Sequence, residues 1–347
     1  MVIEYCILPF NPKEETTEMV DKFIDYQQDV FREENPDDPL PQKEIRMQTL
    51  LNSNPMLDLY RWIVVDSQEN IIGGSVISVF NSNYPEYEQN KHAAMVNASV
   101  LKPFRNQGIG TELAKTMEKK LKELDKRQLQ SLTSEASGKR FLEKYGAMLA
   151  LETAENRLYL DEVDWVMLEE WVKEGPERAP NVKIVNFTDV PDELIDDFVE
   201  IYTETMKQQG SNDLGMDVRV TPESRRKQEE LIKMRGYEWV TKATLEEDGK
   251  ISGLTEIFIN SKTPHRIDQN LTGVRHEYRG KGLGKWLKAE MLLDIKRTFP
   301  DLKYISTANT DTDATMASIN SRIGFREYKS SNAYHLTYED LANKLTT

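Results

Sequence analysis

Cysteine is almost missing from this chain. Cys6 stands alone among 347 residues, so no disulfide can form within it. That excludes the small disulfide-built scaffolds and suits a reducing compartment. Long apolar runs are missing too. No stretch approaches the roughly 18 apolar residues of a transmembrane helix. The start, "MVIEYCILPFNPKEE", has neither a basic opening nor an apolar core, so no signal peptide is expected and a cytoplasmic location is. Positive charge is in deficit. Lys and Arg number 45 against 59 Asp and Glu, for a formal net charge of −14. Most of such a surface repels phosphate backbones, which argues against nucleic-acid or anionic-membrane partners but leaves room for a local basic pocket. The four histidines, His92, His265, His276 and His335, fall at no ligand spacing with one another or with Cys6, so no metal site is expected.

The remainder reads as an ordinary globular chain, 38% hydrophobic and 30% charged. At about 100–200 residues per domain it holds two domains. A repeat supports that number. "VLKPFRNQGIGTEL" begins at Val100, and "VRHEYRGKGLGKWL" begins at Val274, 174 residues later. Both read V, four residues, R, two residues, G, one residue, G. The order of elements around the two stretches also repeats. In each half a helix is followed by a hairpin, "LYRWIVVD…IIGGSVISVF" or "YEWVTKATLEEDGKISGLTEIFIN", the second with an Asp-Gly turn. A strand then enters the glycine stretch and a helix leaves it. Between the halves, "GPERAP" from Gly175 to Pro180 reads as a linker. The pattern predicts an α/β fold, a mixed sheet with helices on both faces, repeated twice.

The glycine stretch has a chemical logic. A strand ends and a helix begins within a few residues, so free N–H groups and the positive end of the helix dipole meet there. Gly280, Gly282 and Gly284 remove side chains from that spot, and Arg279 and Lys281 add charge. An anion such as a pyrophosphate fits. The P-loop pattern is absent, and the dinucleotide pattern fails because Lys285 stands where its last glycine belongs. A plain tight turn is the alternative for one copy; two copies at one offset argue against it.

The pattern V-x-x-x-x-[RQ]-x-x-G-x-[GA] at a strand-to-helix junction resembles the acyl-CoA motif of the GCN5-related N-acetyltransferases (GNAT). "STANTDTDATMASINSRIGF" is similar to the family's next segment, and "FLEKYGA" is its shorter counterpart in the first half. The likeness covers nearly the whole chain and is to the tandem type, an architecture similar to mycothiol synthase. It implies two GNAT-like domains, each a mostly antiparallel sheet with a strand–loop–helix acyl-CoA site: residues 1–164, a linker region at 165–180, and residues 181–347.

The cofactor it implies is acetyl-CoA. Amides of Arg279, Gly280, Lys281, Gly282, Leu283, Gly284 and Lys285 hold its pyrophosphate, and the strand edge at Thr272 and Val274 takes the pantetheine arm. Asn309 and Asn320 stand where the family contacts the cofactor or orders the splayed strand. The matching set in the first half is Val100, Arg105, Asn106, Gln107, Gly108, Ile109, Gly110 and Thr111. The implied reaction is acetyl transfer to a small-molecule amine such as an antibiotic, an amino acid or a peptide-like compound, by a monomer or homodimer. A non-catalytic acyl-CoA sensor or scaffold is the alternative.

The halves differ at positions that matter to chemistry. Aligned on Gly73 and Gly253, Glu256 matches Val76. Glu256 alternates with Leu254 and Phe258, so it shares a face with apolar residues and is the candidate general base. A core glutamate bonded to its surroundings is the alternative. Many family members carry a tyrosine acid where Asn320 and Leu142 stand here. Tyr328 is the candidate replacement, with Tyr334 and water as alternatives. The second half is therefore expected to be catalytic and the first degenerate. The polar stretch 211–230 is expected to be a lid or an ordinary connection.

Overall fold

The computed structural model describes residues 4–208, 219–310 and 314–346, the side chains of 309, 310, 314 and 315 excepted. In the first part of the chain the strands are β1 (Tyr5–Pro9), β2 (Leu57–Asp66), β3 (Ile71–Phe80), β4 (Ala93–Val100), β5 (Gln128–Thr133) and β6 (Met148–Tyr159). The helices among them are α1 (Thr17–Glu34), α2 (Lys43–Leu51), α3 (Tyr87–Asn90), α4 (Ile109–Glu123) and α5 (Ala136–Lys144). The chain continues through α6 (Trp165–Arg178), β7 (Lys183–Phe187), α7 (Ile195–Gln208), α8 (Pro222–Met234), β8 (Tyr237–Leu245), β9 (Ile251–Asn260) and β10 (Arg266–Val274). It ends with α9 (Leu283–Thr298), β11 (Tyr304–Thr310), α10 (Ala314–Ile323), β12 (Arg326–Thr337) and α11 (Tyr338–Thr346).

Two compact units emerge. Among the described residues, unit 1 holds 4–150 and 332–346, and unit 2 holds 151–208, 219–310 and 314–331. In unit 1 the strand order is β1-β2-β3-β4-β5 followed by residues 332–337 of β12. In unit 2 the order β7-β8-β9-β10-β11 is followed by residues 153–159 of β6. Each unit thus takes its sixth strand from the other half of the sequence. Within each unit only one pairing is parallel, β4 with β5 and β10 with β11. These are the strands joined through α4 and α9, as a crossover connection requires.

The turns follow their sequences. The β8–β9 hairpin closes with Gly249 at φ +84°, a left-handed position that glycine occupies at little cost. The β2–β3 turn is held by Asp66, whose Oδ1 accepts from the amides of Gln68 and Asn70 at 2.9 and 2.8 Å. Buried apolar residues fill each unit. In unit 2, Leu158, Trp171, Ile257, Ile267, Leu292, Ile305 and Phe325 share one cluster. In unit 1, Ile77, Met117, Leu121, Leu129, Tyr334 and Leu341 share another.

The structure corrects the expected domain boundaries. Residues 165–180 are no linker: Trp165–Arg178 is one helix, capped at its start by Asp164, whose Oδ1 accepts from Met167 N at 3.0 Å. Gly-Pro reads as a chain breaker in sequence, yet both residues lie inside α6. Gly175 serves close packing, because a Cβ there would lie 2.2 Å from the Trp286 ring of α9. The final described residues, 332–346, likewise complete unit 1 and not the second domain. Of the expected lid, residues 211–218 lie outside the described residues. Residues 222–234 form α8, started by a reciprocal cap between Thr221 and Ser224.

Gly175→Ala is therefore expected to destabilise unit 2 by about 1–3 kcal/mol through overpacking against Trp286. Urea unfolding of the full chain, read as a shifted midpoint, measures it.

Candidate active site

The second glycine stretch leaves the start of α9 uncovered. Gly280 and Gly282 take left-handed φ of +83° and +80°, and Gly282 caps α9 with no side chain over the first turn. The first amides of α9 thus have no side-chain partner at the cap. Basic groups gather around them. The Arg178 side chain lies 3.4 Å from the Cβ position of Gly282. Lys285 lies 5.0 Å and Arg322 4.8 Å from the centre of the Trp171 ring. Burial and then the charges of Arg178 and Arg322 push the Lys285 amine below its ordinary range, with Glu174 opposing. Mutual repulsion of this kind marks a place where an anion is welcome. Arg178 and Arg322 were not legible as site residues. Arg178 sat in the presumed linker, and only the packing of α6 brings it to the loop.

Arg279 itself is not one of these basic groups. Its Nε donates to the carbonyl of Val274 at 3.3 Å and its Nη2 reaches Gln208, so it braces the loop against the strand it leaves. The first loop repeats the backbone. Asn106 takes the place of Gly280 at φ +61°, and Gly108 caps α4 at φ +84°. Its electrostatics differ. Arg105 donates to Val100 O at 2.7 Å, to Glu135 at 3.2 Å and to Glu33 at 3.0 Å. Two carboxylates therefore stand beside this loop. Gln107 is turned onto Pro103 O and Thr111 onto the Tyr145 hydroxyl.

Beside each loop the sheet opens. β10 pairs with β11 only from Arg266 to Gln269, although β10 runs to Val274 and β11 to Thr310. The edge of β10 from Asn270 to Val274 is left without a strand partner on that side. In unit 1 the pairing of β4 with β5 likewise stops at Met95. On its other edge β10 carries a bulge: the register with β9 shifts between Gln269 and Thr272, opposite Glu256. Gln269 Nε2 covers the Glu256 carbonyl at 2.8 Å. The β3–β4 pairing of unit 1 shows no such shift.

Residues 20–147 match the acetyltransferase (GNAT) family. No curated protein sequence matches the chain. Among solved structures, a tandem GNAT protein from the clavulanic acid biosynthesis pathway is similar at 20% identity and a TM-score of 0.74, over 96% of this chain and 99% of that one. A GCN5-related N-acetyltransferase from Sphaerobacter thermophilus is similar at 16% identity and 0.64, over 96% of both chains. At these identities the likeness is one of fold, and it spans both units. The fold is that of tandem GNAT proteins, and the family matched by residues 20–147 is one of acetyltransferases.

In this fold Glu256 does not stand open to a substrate. It is fully buried, and Arg225, also fully buried, donates to its Oε1 at 3.0 Å. Thr241 donates to the same oxygen at 3.0 Å, and Asn270 to Oε2 at 3.0 Å. Arg225 also bonds Glu229 at 2.9 Å and lies 3.5 Å from the centre of the Trp239 ring. Burial and then the Glu256 carboxylate push the nearby Tyr202 phenol well above its ordinary range. The general-base reading thus gives way to the core reading, with an arginine from α8 that the alternation along β9 could not reveal. Glu229 and Trp239 also line a cavity of about 500 Å³ with Asp189, Lys233 and Phe299, none of them loop residues.

Tyr328 is also placed elsewhere. The Arg157 guanidinium lies 3.4 Å from its ring centre and 4.2 Å from that of Tyr304. β12 is separated from β9 by β6, β11 and β10, so Tyr328 is about 19 Å from Glu256 at ~4.8 Å per strand. Tyr334 belongs to the core of unit 1, its hydroxyl on Glu143 at 3.1 Å. The Thr272 hydroxyl meets that of Thr255 at 2.8 Å, which leaves its backbone for the open edge. Asn320 is buried on α10. Asn309 pairs through its backbone with Ala154, and its side chain lies outside the described residues. The described residues contain no group of metal-binding side chains and no helix long and apolar enough to cross a membrane.

One residue escaped the sequence reading altogether. Lys288, on α9 one turn past Gly284, is 1% exposed. Its Nζ lies 5.2 Å from the centre of the Phe325 ring. Burial alone pushes its amine down to about 7. The signal available in sequence was a lysine on the inward face of a helix where the first half has Ala114.

Two predictions follow from these buried charges. Glu256→Gln leaves Arg225 short of charge and is expected to destabilise unit 2 by about 3 kcal/mol, with Arg225→Met/Glu256→Leu recovering most of it in urea unfolding. Lys288 binds its proton more weakly in the folded than in the unfolded chain, whose lysines titrate near 10.4. Between about pH 7 and pH 10 the unfolded state therefore holds more protons, and this group's contribution to stability rises with pH. Lys288→Met is expected to stabilise the chain by a few kcal/mol at pH 7, with the gain shrinking towards pH 10, as unfolding curves at both values will show.

Proposed function

We propose that this chain transfers an acetyl group from acetyl-CoA to the amine of a small molecule, and that unit 2 holds the donor. The observation that carries this reading is the coincidence, in unit 2, of the opened β10 edge with a glycine-capped helix start beside Arg178, Lys285 and Arg322, three basic groups that share the one carboxylate of Glu174. In unit 1 the same backbone is flanked by Glu33 and Glu135, which disfavour a diphosphate.

The residues divide the work as follows. Amides from Gly280 to Lys285 take the pyrophosphate, with the three basic side chains adding charge. The free edge from Asn270 to Val274 pairs with the pantetheine amides as an added strand would. Asn309 and Asn320 flank the opposite wall. A backbone N–H of the β10 edge near Val274 stabilises the tetrahedral oxyanion. The acceptor amine, having lost its ammonium proton to water, attacks the thioester carbonyl. A C–N bond forms, the C–S bond breaks, and CoA leaves as a thiolate that water protonates. Glu256 holds Asn270 at the bulge and takes no proton.

The test is calorimetry with CoA on three forms of the chain. Gly282→Glu puts a carboxylate into the cradle and is expected to weaken binding about tenfold or more, while Gly108→Glu leaves it unchanged. CoA release with a panel of small amines should fall in step. Binding that survives Gly282→Glu but not Gly108→Glu would move the donor site to unit 1.

A further inference from the structure

The row of residues that holds Glu256 in unit 2 has a counterpart in unit 1. In unit 2 Thr241 of β8 pairs with Glu256 of β9, and Asn270 of β10 donates to the Glu256 carboxylate. Arg225, the fourth residue of α8, donates to it as well. In unit 1 Arg61 of β2 pairs with Val76 of β3, and Val76 pairs with Asn97 of β4. Arg46 is the fourth residue of α2. The donors are therefore kept, with Thr241 exchanged for a second arginine, and the carboxylate between them is gone.

Both arginines belong to one face of unit 1. Arg61 alternates with Ile63, and Arg46 stands one turn before Leu50. Ile63 and Leu50 share the cluster that joins α1, α2 and β2. The Arg46 guanidinium lies 5.2 Å from the centre of the Phe31 ring of α1. Its Nε is buried without a hydrogen-bond partner, and among the described residues neither arginine forms an ion pair. Burial alone acts on both guanidinium groups and holds each below its ordinary range. A guanidinium withdrawn from water without an anion is costly. Yet this row is not sealed like that of unit 2. Thr241, Glu256 and Arg225 are fully buried, whereas Arg46, Arg61 and Val76 are half-buried and Asn97 is exposed. Asn97 Oδ1 accepts from Ser131 Oγ and Leu132 N at 3.5 and 3.4 Å, which leaves its Nδ2 to donate elsewhere. At about 4.8 Å per strand, the α-carbons of Arg61 and Asn97 are about 10 Å apart with Val76 between them. That spacing takes a carboxylate between the two side chains.

We propose that unit 1 binds a small organic carboxylate on this row, received by Arg46, Arg61 and Asn97 where unit 2 holds the carboxylate of Glu256, with its apolar part on Val76. The proposal does not depend on the donor site of unit 2. A carboxylate is the anion this arrangement already holds in the other unit, and its two oxygens match the fork of a guanidinium. Unit 1 thereby has a ligand of its own, although Glu33 and Glu135 stand beside its glycine loop.

The experiment titrates the full chain into 4-fluorobenzoate and follows the fluorine resonance by NMR. The line should shift and broaden to saturation. Unlabelled benzoate should reverse the change, and an equal concentration of inorganic phosphate should not. Arg46→Met and Arg61→Met should each weaken binding about tenfold or more, the loss of one charge-assisted pair. Val76→Glu supplies a carboxylate from within, as Glu256 does in unit 2, and should abolish binding. A titration with no change in the line would overturn the proposal. So would binding that survives Val76→Glu, or that both arginine variants leave intact. Phosphate displacing the probe more readily than benzoate would overturn the choice of a carboxylate.

Discussion

The parting of β10 from β11 after Gln269 is the constraint around which unit 2 is arranged. Two neighbouring parallel strands separate inside a domain only if something meets the backbone groups they release. On the β9 side a bulge interrupts the pairing as well, and side chains close that gap. The Gln269 amide covers the Glu256 carbonyl, and Asn270 is re-aimed so that it can donate to the Glu256 carboxylate. Arg225 then ties Glu256 to α8, and Glu229 ties Arg225 to the amide of Val190. A buried ion pair of this kind is a poor source of net stability, but breaking it is expensive. It fixes where β10 bends. The opposite edge, from Asn270 to Val274, has no strand partner among the described residues.

The far wall of that opening depends on a second feature, the origin of the sixth strand. β11 pairs along its whole length, from Tyr304 to Thr310, with residues 159–153. These belong to the first half of the sequence. Leu158 anchors them in the same cluster as Ile305 and Phe325. Unit 1 is closed in turn by residues 332–337, with α11 behind them on α4. Neither half of the sequence therefore contains a complete unit. The repeat is one of sequence order, and the units are not its two halves.

This separation decides what could be read in advance. The glycine loops, the hairpins, their turns and the helices after them rest on local chemistry, and each stands where its residues placed it. The exchanged strands do not, because β6 and β12, each 12 residues long and largely polar, are shared between sheets and nothing local distinguishes which sheet each part joins. Gly175 misled for a related reason. A glycine that permits contact with Trp286 looks the same in sequence as one that breaks a helix. Glu256 was correctly placed on a buried face of β9. Its partner, Arg225, comes from a helix that read as a polar connection, so the alternation carried the position of the carboxylate and not its state. Lys288 was invisible because α9 was judged by its apolar spacing, and one lysine does not spoil that pattern.

The two loops show how far a motif reaches. Their backbones are alike, down to a left-handed residue at Asn106 and Gly280, and asparagine tolerates that conformation well enough to preserve the loop without glycine. Loop shape is thus maintained by backbone preferences, and by Arg105 and Arg279 bonding back to the strand ends, whether or not an anion ever binds. The family match falls on residues 20–147, where this shape is kept. The basic groups beside the second loop lie outside the motif, Arg178 on α6 and Arg322 on α10, with Glu174 between Arg178 and Lys285, whereas Glu33 and Glu135 stand on Arg105 of the first loop. A motif that encodes a turn can keep the same backbone in two units while the charges around it differ.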